Sequence, residues 1–269
     1  MTFKAQDFRI INSHTHIFPQ KIADKASEAI GDFYGIPMHF PGEAQMLIED
    51  GKPFGIEKYL ICSTATIPHQ VQSINDFIHS QCREHSEFIG FASLHPAMEN
   101  MEGEVERIIS LGLRGIKLHS DFQKFDIDAE SAMPMYALAA RHGLPILFHM
   151  GDARYEYSRP HKLLKVARRF PDLICIGAHF GGYQRWDEAY DLLRLENIFL
   201  DTSSSLDFIS RETARDFINN IGEDKFFFGT DFPMWTHEGE IKHFLGLDLT
   251  KRQYEKIFFE NFAKLMGIE

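Results

Sequence analysis

Eight short apolar runs recur along the chain with helical stretches between them, and this alternation constrains the fold more than any other feature. The runs are Phe8–His16, Glu57–Thr64, Phe88–His95, Leu113–His119, Leu144–His149, Leu173–His179, Asn197–Ser203 and Phe226–Asp231. Each has the length and the Ile, Leu, Val or Phe content of a strand buried on both faces. Turn residues Gly112, Gly143 with Pro145, and Pro171 precede or open three of them. Between runs, Val105, Ile108, Ile109 and Gly112 follow the i, i+3, i+4, i+7 spacing of an amphipathic helix. Leu163, Val166, Ala167 and Phe170 do the same, and Tyr254, Ile257, Phe258, Leu265 and Met266 mark a helix near the C-terminal end. Eight strand–helix units in 269 residues predict a single parallel (β/α)8 TIM barrel domain over residues 1–269. A doubly wound open sheet usually has fewer strands, and no glycine-rich dinucleotide fingerprint follows the first run. The stretch 19–54 is too long for an ordinary connection and predicts an elaborated loop with short helices after strand 1.

Composition excludes several partners. Twenty-eight basic against 39 acidic residues give a net charge of −11, with no Lys/Arg block, so nucleic acid is not expected as a partner. No apolar run approaches the ~18 residues of a spanning helix, and Met1 to Phe8 lacks the apolar region of a secretory signal. Cys62, Cys82 and Cys175 are odd in number and lack paired spacing, which suits reduced thiols in a cytoplasm. A homo-oligomer is compatible with all of this.

The polar residues at the ends of the runs carry the chemistry. Side chains alternate along a strand, and alternation places His14 and His16, Lys117 and His119, His149, His179, Asp201 and Asp231 inward. All sit at C-terminal strand ends, where barrel enzymes build their active sites. Burying imidazoles, a carboxylate and an ammonium without partners costs several kcal/mol each, by order of magnitude. A divalent cation is the simplest shared partner, and three imidazoles with one carboxylate suit Zn2+ with one open position. Taken singly, His-x-His arises by chance in a chain with 14 histidines, His149 reads as a hydrogen-bonded pocket histidine, and Asp231 reads as a helix cap. Their conjunction over strands one, five, six and eight favours metal. His95, followed by Pro96, is expected in a loop, and His69, His79, His85, His142, His161, His237 and His243 at the surface. Lys117 is open to two readings: a carboxylated lysine bridging two metals, or a plain ammonium that pairs with Asp201 or holds a substrate anion.

These residues fall in segments that resemble a known family. Ile11-Asn-Ser-His-Thr-His16, Gly115-Ile-Lys-Leu-His119, Phe148-His-Met-Gly-Asp152, Gly177-Ala-His-Phe-Gly-Gly182, Gly229-Thr-Asp-Phe-Pro233 and Glu260-Asn-Phe-Ala-Lys-Leu-Met-Gly267 run in the order of the amidohydrolase superfamily. The nearest branch is amidohydrolase-related family 2, which contains aminocarboxymuconate semialdehyde decarboxylase and related carboxy-lyases. The resemblance implies a TIM barrel with one divalent ion, Zn2+ foremost, held by His14, His16, His149 and Asp231. It implies that His179 does acid–base or carbonyl-polarising work, although Phe180 interrupts the glycine run usual after that histidine. A single-metal branch also implies that Lys117 is not a carboxylated bridge.

Metal-assisted hydrolysis of a small amide, lactone or ester is the leading expectation. In it Asp231 takes the proton of the attacking water and His179 stabilises the carbonyl oxygen. The alternative is non-oxidative decarboxylation of an unsaturated or aromatic carboxylate on the same metal. A barrel that binds metal or ligand without catalysis is the third reading. Lys117, His119 and Arg154, with Arg159 and Arg185 more remote, are expected to hold an anionic small-molecule substrate.

Overall fold

The structure is a computed structural model describing residues 3–192, 194–195 and 197–269. Its strands are β1 (Ile10–His16), β2 (Ile56–Cys62), β3 (Phe88–Ser93), β4 (Gly115–Leu118), β5 (Ile146–Phe148), β6 (Cys175–Gly177), β7 (Ile198–Asp201) and β8 (Phe226–Phe227). They form one sheet in sequence order, parallel as expected of (β/α)8 units. Register runs straight across the centre: Ile116 pairs with Ile146, Ile146 with Cys175, and Cys175 with Ile198. Contacts divide the chain into two compact units.

The first unit comprises Met1–Ile61, His85–Phe88 and Thr202–Glu269. In it β1 is tied to the segment after β8: the Ser13 amide donates to the Phe228 carbonyl (2.8 Å), Asp231 to His14 (2.9 Å) and His16 to Phe232 (2.6 Å). Phe228 packs between Phe244 and Phe258, with ring centroids 5.6 and 4.9 Å away. The C-terminal helical stretch is broken by a π-turn at Lys256–Glu260, between helices Lys251–Glu255 and Asn261–Met266. One extra residue per turn shifts the buried face, so Ile257, Phe258 and Phe259 are all buried while Leu265 is not. The loop after β1 contains more helix than expected, a 15-residue helix Gln20–Tyr34 and a shorter one at Ala44–Gly51. The turn between them packs on the segment after β8, Phe40 stacking on Phe232 at 5.0 Å.

The second unit comprises Cys62–Glu84 and Ile89–Asp201. Its helices include Val71–Glu84, Met101–Ser110, Met133–Arg141 and Pro160–Arg169. Leu163, Val166 and Ala167 bury the face their spacing predicts, as do Val105 and Ile108; Ile109 is 41% exposed, so that stripe is narrower than expected. Buried Asn75 ties helix to sheet, exchanging hydrogen bonds with the Ser93 backbone (3.1 and 2.7 Å).

Apart from β1, the strands end earlier than the apolar runs do. His119, His149, His179 and Asp231 lie one to four residues beyond β4, β5, β6 and β8, outside the strands. Among the described residues no helix is long and apolar enough to cross a membrane.

Candidate active site

Backbone pairing in the first unit builds one ligand cluster. Because the Asp231 amide donates to the His14 carbonyl, the residue after β8 is held beside β1. Asp231 adopts φ +58, in the left-handed region, so a turn and not strand alternation aims its carboxylate. Its Oδ1 lies 3.4 Å from His14 Nε2 and 3.2 Å from His16 Nε2, and these nitrogens are 3.1 Å apart. Donors bound at ~2.0–2.1 Å around a tetrahedral Zn2+ stand about 3.3 Å apart. Two imidazoles and a carboxylate at that mutual spacing fit a divalent cation.

Neighbouring hydroxyls engage the other polar atoms of His14 and Asp231. His14 Nδ1 is 3.0 Å from Ser203 Oγ. When Nδ1–H donates to that oxygen, Nε2 keeps its lone pair toward the cluster. Ser204 Oγ donates to Asp231 Oδ2 (2.7 Å), leaving Oδ1 facing the histidines, and Trp235 Nε1 donates to Ser204 Oγ (2.8 Å). Gly229 lets His14 approach, because a Cβ there would stand 2.8 Å from His14 Cβ. Gly229 lies in a segment the sequence singles out; Ser203, Ser204 and Trp235 carry no motif and escape sequence reasoning.

The second unit holds its own cluster. His149 Nδ1 faces His179 Nε2 at 3.1 Å, and its Nε2 lies 3.7 Å from Asp121 Oδ2. His179 sits in a tight turn at φ +61, its amide donating to Asp201 Oδ1 (3.0 Å) and its carbonyl accepting from Trp186 Nε1 (3.0 Å). Phe180 is also left-handed at φ +52 and fully buried. Such a conformation costs a bulky residue about 1–3 kcal/mol, so the surrounding contacts hold this turn against local preference. Asp121 is buried, and burial pushes its carboxyl up to about 7 against the pull of a 2.6 Å hydrogen bond from Ser158. His119, Asp121 and His149 offer ligand atoms near one another, but the two imidazoles are stacked 3.8 Å apart at 7°. An imidazole binds an ion in its own ring plane. Parallel planes at that distance share no such point, so these rings are packing partners.

His119 also stacks on Phe122 at 3.7 Å, so two rings hold it flat; Gln123 is braced under the same turn by bonds to the Ala65 and Leu94 carbonyls. Lys117 is fully buried on β4, as are its neighbours Ile116 and Leu118. Arg154 is committed to Asp152 by two side-chain bonds, 3.0 and 2.7 Å, so it enters any anion site as a neutral pair. Arg159 and Arg185 share Glu156 and Glu188. The expectation that His237 is a surface residue is wrong: it is fully buried, with Nδ1 on Asp50 Oδ2 (2.6 Å) and Nε2 on Asn12 Nδ2 (2.9 Å). Those partners are far away in sequence, so periodicity could not reveal them.

Comparison with known proteins places these features in context. The family model described as amidohydrolase matches residues 11–268. Curated proteins include no match to the sequence. Among solved structures, an uncharacterised TIM-barrel protein of Bordetella bronchiseptica superposes with a TM-score of 0.79 at 18% identity, over 97% of this chain and 99% of that one. A 2,6-dihydroxybenzoate decarboxylase in complex with 2,6-dihydroxybenzoate gives 0.78 at 17%, over 97% and 100%. A dihydroxybenzoic acid decarboxylase of a Polaromonas species, with bound manganese and 2-nitroresorcinol, gives 0.77 at 17%, over 97% of each chain. At these identities the likeness establishes the (β/α)8 fold.

Proposed function

We propose that this chain, which belongs to the amidohydrolase family, is a metal-dependent decarboxylase of a small hydroxylated aromatic or unsaturated carboxylate. The observation that carries the reading is the convergence of His14 Nε2, His16 Nε2 and Asp231 Oδ1 within 3.4 Å of one another. In this proposal those three residues hold one divalent ion, with His149 as fourth ligand because it matches the family's third histidine. The donor set suits Zn2+, and manganese is bound in the Polaromonas decarboxylase. When bound, such an ion would anchor substrate oxygens and draw electron density from the bond to be broken.

Within the proposal the chain's own residues do the rest. A proton must reach the carbon that bears the carboxylate, the carbon–carbon bond breaks, and CO2 departs. Asp231 takes that proton from solvent water and passes it on, its carboxyl steadied by the hydroxyl of Ser204. His179 holds a substrate oxygen as its charge changes, from a turn pinned by Asp201 and Trp186. Lys117, as a plain ammonium, with His119 and the Arg154–Asp152 pair, recognises the anionic substrate, and residues 1–269 act as one domain. Sequence reasoning alone favours hydrolysis. Two decarboxylases of the same fold over 97% of this chain favour the carboxy-lyase alternative.

The test is incubation of the Mn2+- or Zn2+-loaded protein with hydroxybenzoates, amides and lactones in 18O-water. CO2 release with a proton on the vacated carbon supports decarboxylation. Labelled oxygen in the acid released from an amide or lactone, with no CO2 from any carboxylate, overturns it in favour of hydrolysis.

A further inference from the structure

We infer that Ser204 and Trp235 are positioning residues for Asp231, which together make it a one-oxygen ligand. This inference rests on the metal reading above. A free carboxylate rotates and can offer an ion one oxygen or both. Here the choice is removed by a chain of directed donors. Trp235 Nε1 is a donor only, and it donates to Ser204 Oγ at 2.8 Å. With that lone pair engaged, the single proton of the Ser204 hydroxyl points to Asp231 Oδ2 at 2.7 Å. Oδ2 is thereby occupied, and Oδ1 is the oxygen 3.4 and 3.2 Å from the two Nε2 atoms.

The geometry of the chain supports a dedicated brace. Ser204 is 3% exposed and sits at φ +48, a conformation serine rarely adopts, which turns its hydroxyl back toward Asp231. The Trp235 ring is fixed by an edge contact from Phe208 and a tilted contact from His39, both at 6.0 Å. His39 is itself held through Nδ1 by the Met234 carbonyl at 2.6 Å. Every member lies in the first unit. The chain has two tryptophans, and the other, Trp186, donates its indole N–H to the His179 carbonyl. Two indole signals therefore report separately on the two residues assigned to proton handling.

Indole 1H–15N resonances followed during Zn2+ titration test the inference. The Trp235 signal is assigned by its loss in Trp235→Phe. In the wild-type protein Zn2+ shifts the Trp235 signal, since charge drawn from Asp231 changes the hydrogen bond along the chain. Ser204→Ala uncouples it: the Trp235 signal no longer responds to Zn2+, and affinity falls about 10–100-fold, the usual effect of losing a partner behind a metal ligand. Ser204→Gly, which also lacks the hydroxyl but adopts φ +48 without strain, shows the same two losses, which backbone strain alone would not predict. Zn2+ affinity within twofold of wild type in Ser204→Ala overturns the inference, as does a wild-type Trp235 signal that ignores bound Zn2+. The latter needs no variant to fold. Failure of the metal reading looks different: wild-type protein then binds no Zn2+, or His14→Ala binds it as well as wild type does.

Discussion

His14, His16 and Asp231 owe their meeting to one residue-scale fact, the hydrogen bond from the Asp231 amide to the His14 carbonyl. Two imidazole nitrogens 3.1 Å apart next to a carboxylate form the core of the proposed ion site, so removing both rings should remove the ion. We expect His14→Ala with His16→Ala to fold and to retain less than about a tenth of the wild-type metal, measured by elemental analysis after dialysis; equal content would exclude these residues as ligands. His179 makes a different prediction. Its φ of +61 makes asparagine the natural substitute, because asparagine tolerates the left-handed region. His179→Asn should keep its metal and its melting temperature while kcat falls roughly 100-fold and KM changes little, as for a group acting when charge develops. A folded, metal-loaded variant with wild-type kcat would move the chemistry elsewhere.

At the scale of elements, function depends on how strands end. β8 stops at Phe227, and Gly229 carries the chain past His14 with no room for a side chain. A Cβ at Gly229 would meet His14 Cβ at 2.8 Å, and neither atom belongs to a flexible tip that could swing away. Gly229→Ala should displace β1 from the segment after β8 and misplace the ligands by a fraction of an ångström. The expected result is at least ~10-fold weaker Mn2+ binding by calorimetry together with a lower melting temperature. Metal binding and melting both unchanged would show that the close approach is not needed. The turn at His179 and Phe180 illustrates the same dependence, since two successive left-handed residues are kept there by bonds from elements on either side.

At the scale of the whole molecule, burial of one histidine should shape stability against pH. His95 is 8% exposed, its Nδ1 accepting from the Ala97 amide, and burial lowers its pKa below the usual value. The unfolded chain then binds more protons than the folded one as pH falls below about 6.5. The contribution is therefore fully present above that pH and is lost on acidification through the folded pKa. Urea unfolding at a series of pH values between 5 and 8 should show a fall in the midpoint on the acid side that is smaller in His95→Gln. An identical slope in that variant would assign the pH dependence to other groups.

Much of this protein is written in local pattern. Strand and helix alternate with different apolar periods, and the eight runs became eight strands because each could bury both faces in a parallel sheet. Leu163, Val166 and Ala167 were legible for the same reason, as was His14-Thr15-His16, whose spacing of two puts both rings on one side of β1. What local pattern could not show were the orientations set by turns and the partners set by distance along the chain. His179 and Asp231 lie beyond the strands that alternation assumed, and backbone bonds to Asp201 and His14 aim them. Ser203 and Trp235 acquire roles only when residues 189 and 31 positions away become neighbours. Buried His237 is satisfied by Asp50, 187 positions away. Periodicity is a property of neighbours in sequence and survives in any window of the chain. The lone pair that a histidine presents depends on what touches its other nitrogen, and only the folded chain supplies that contact.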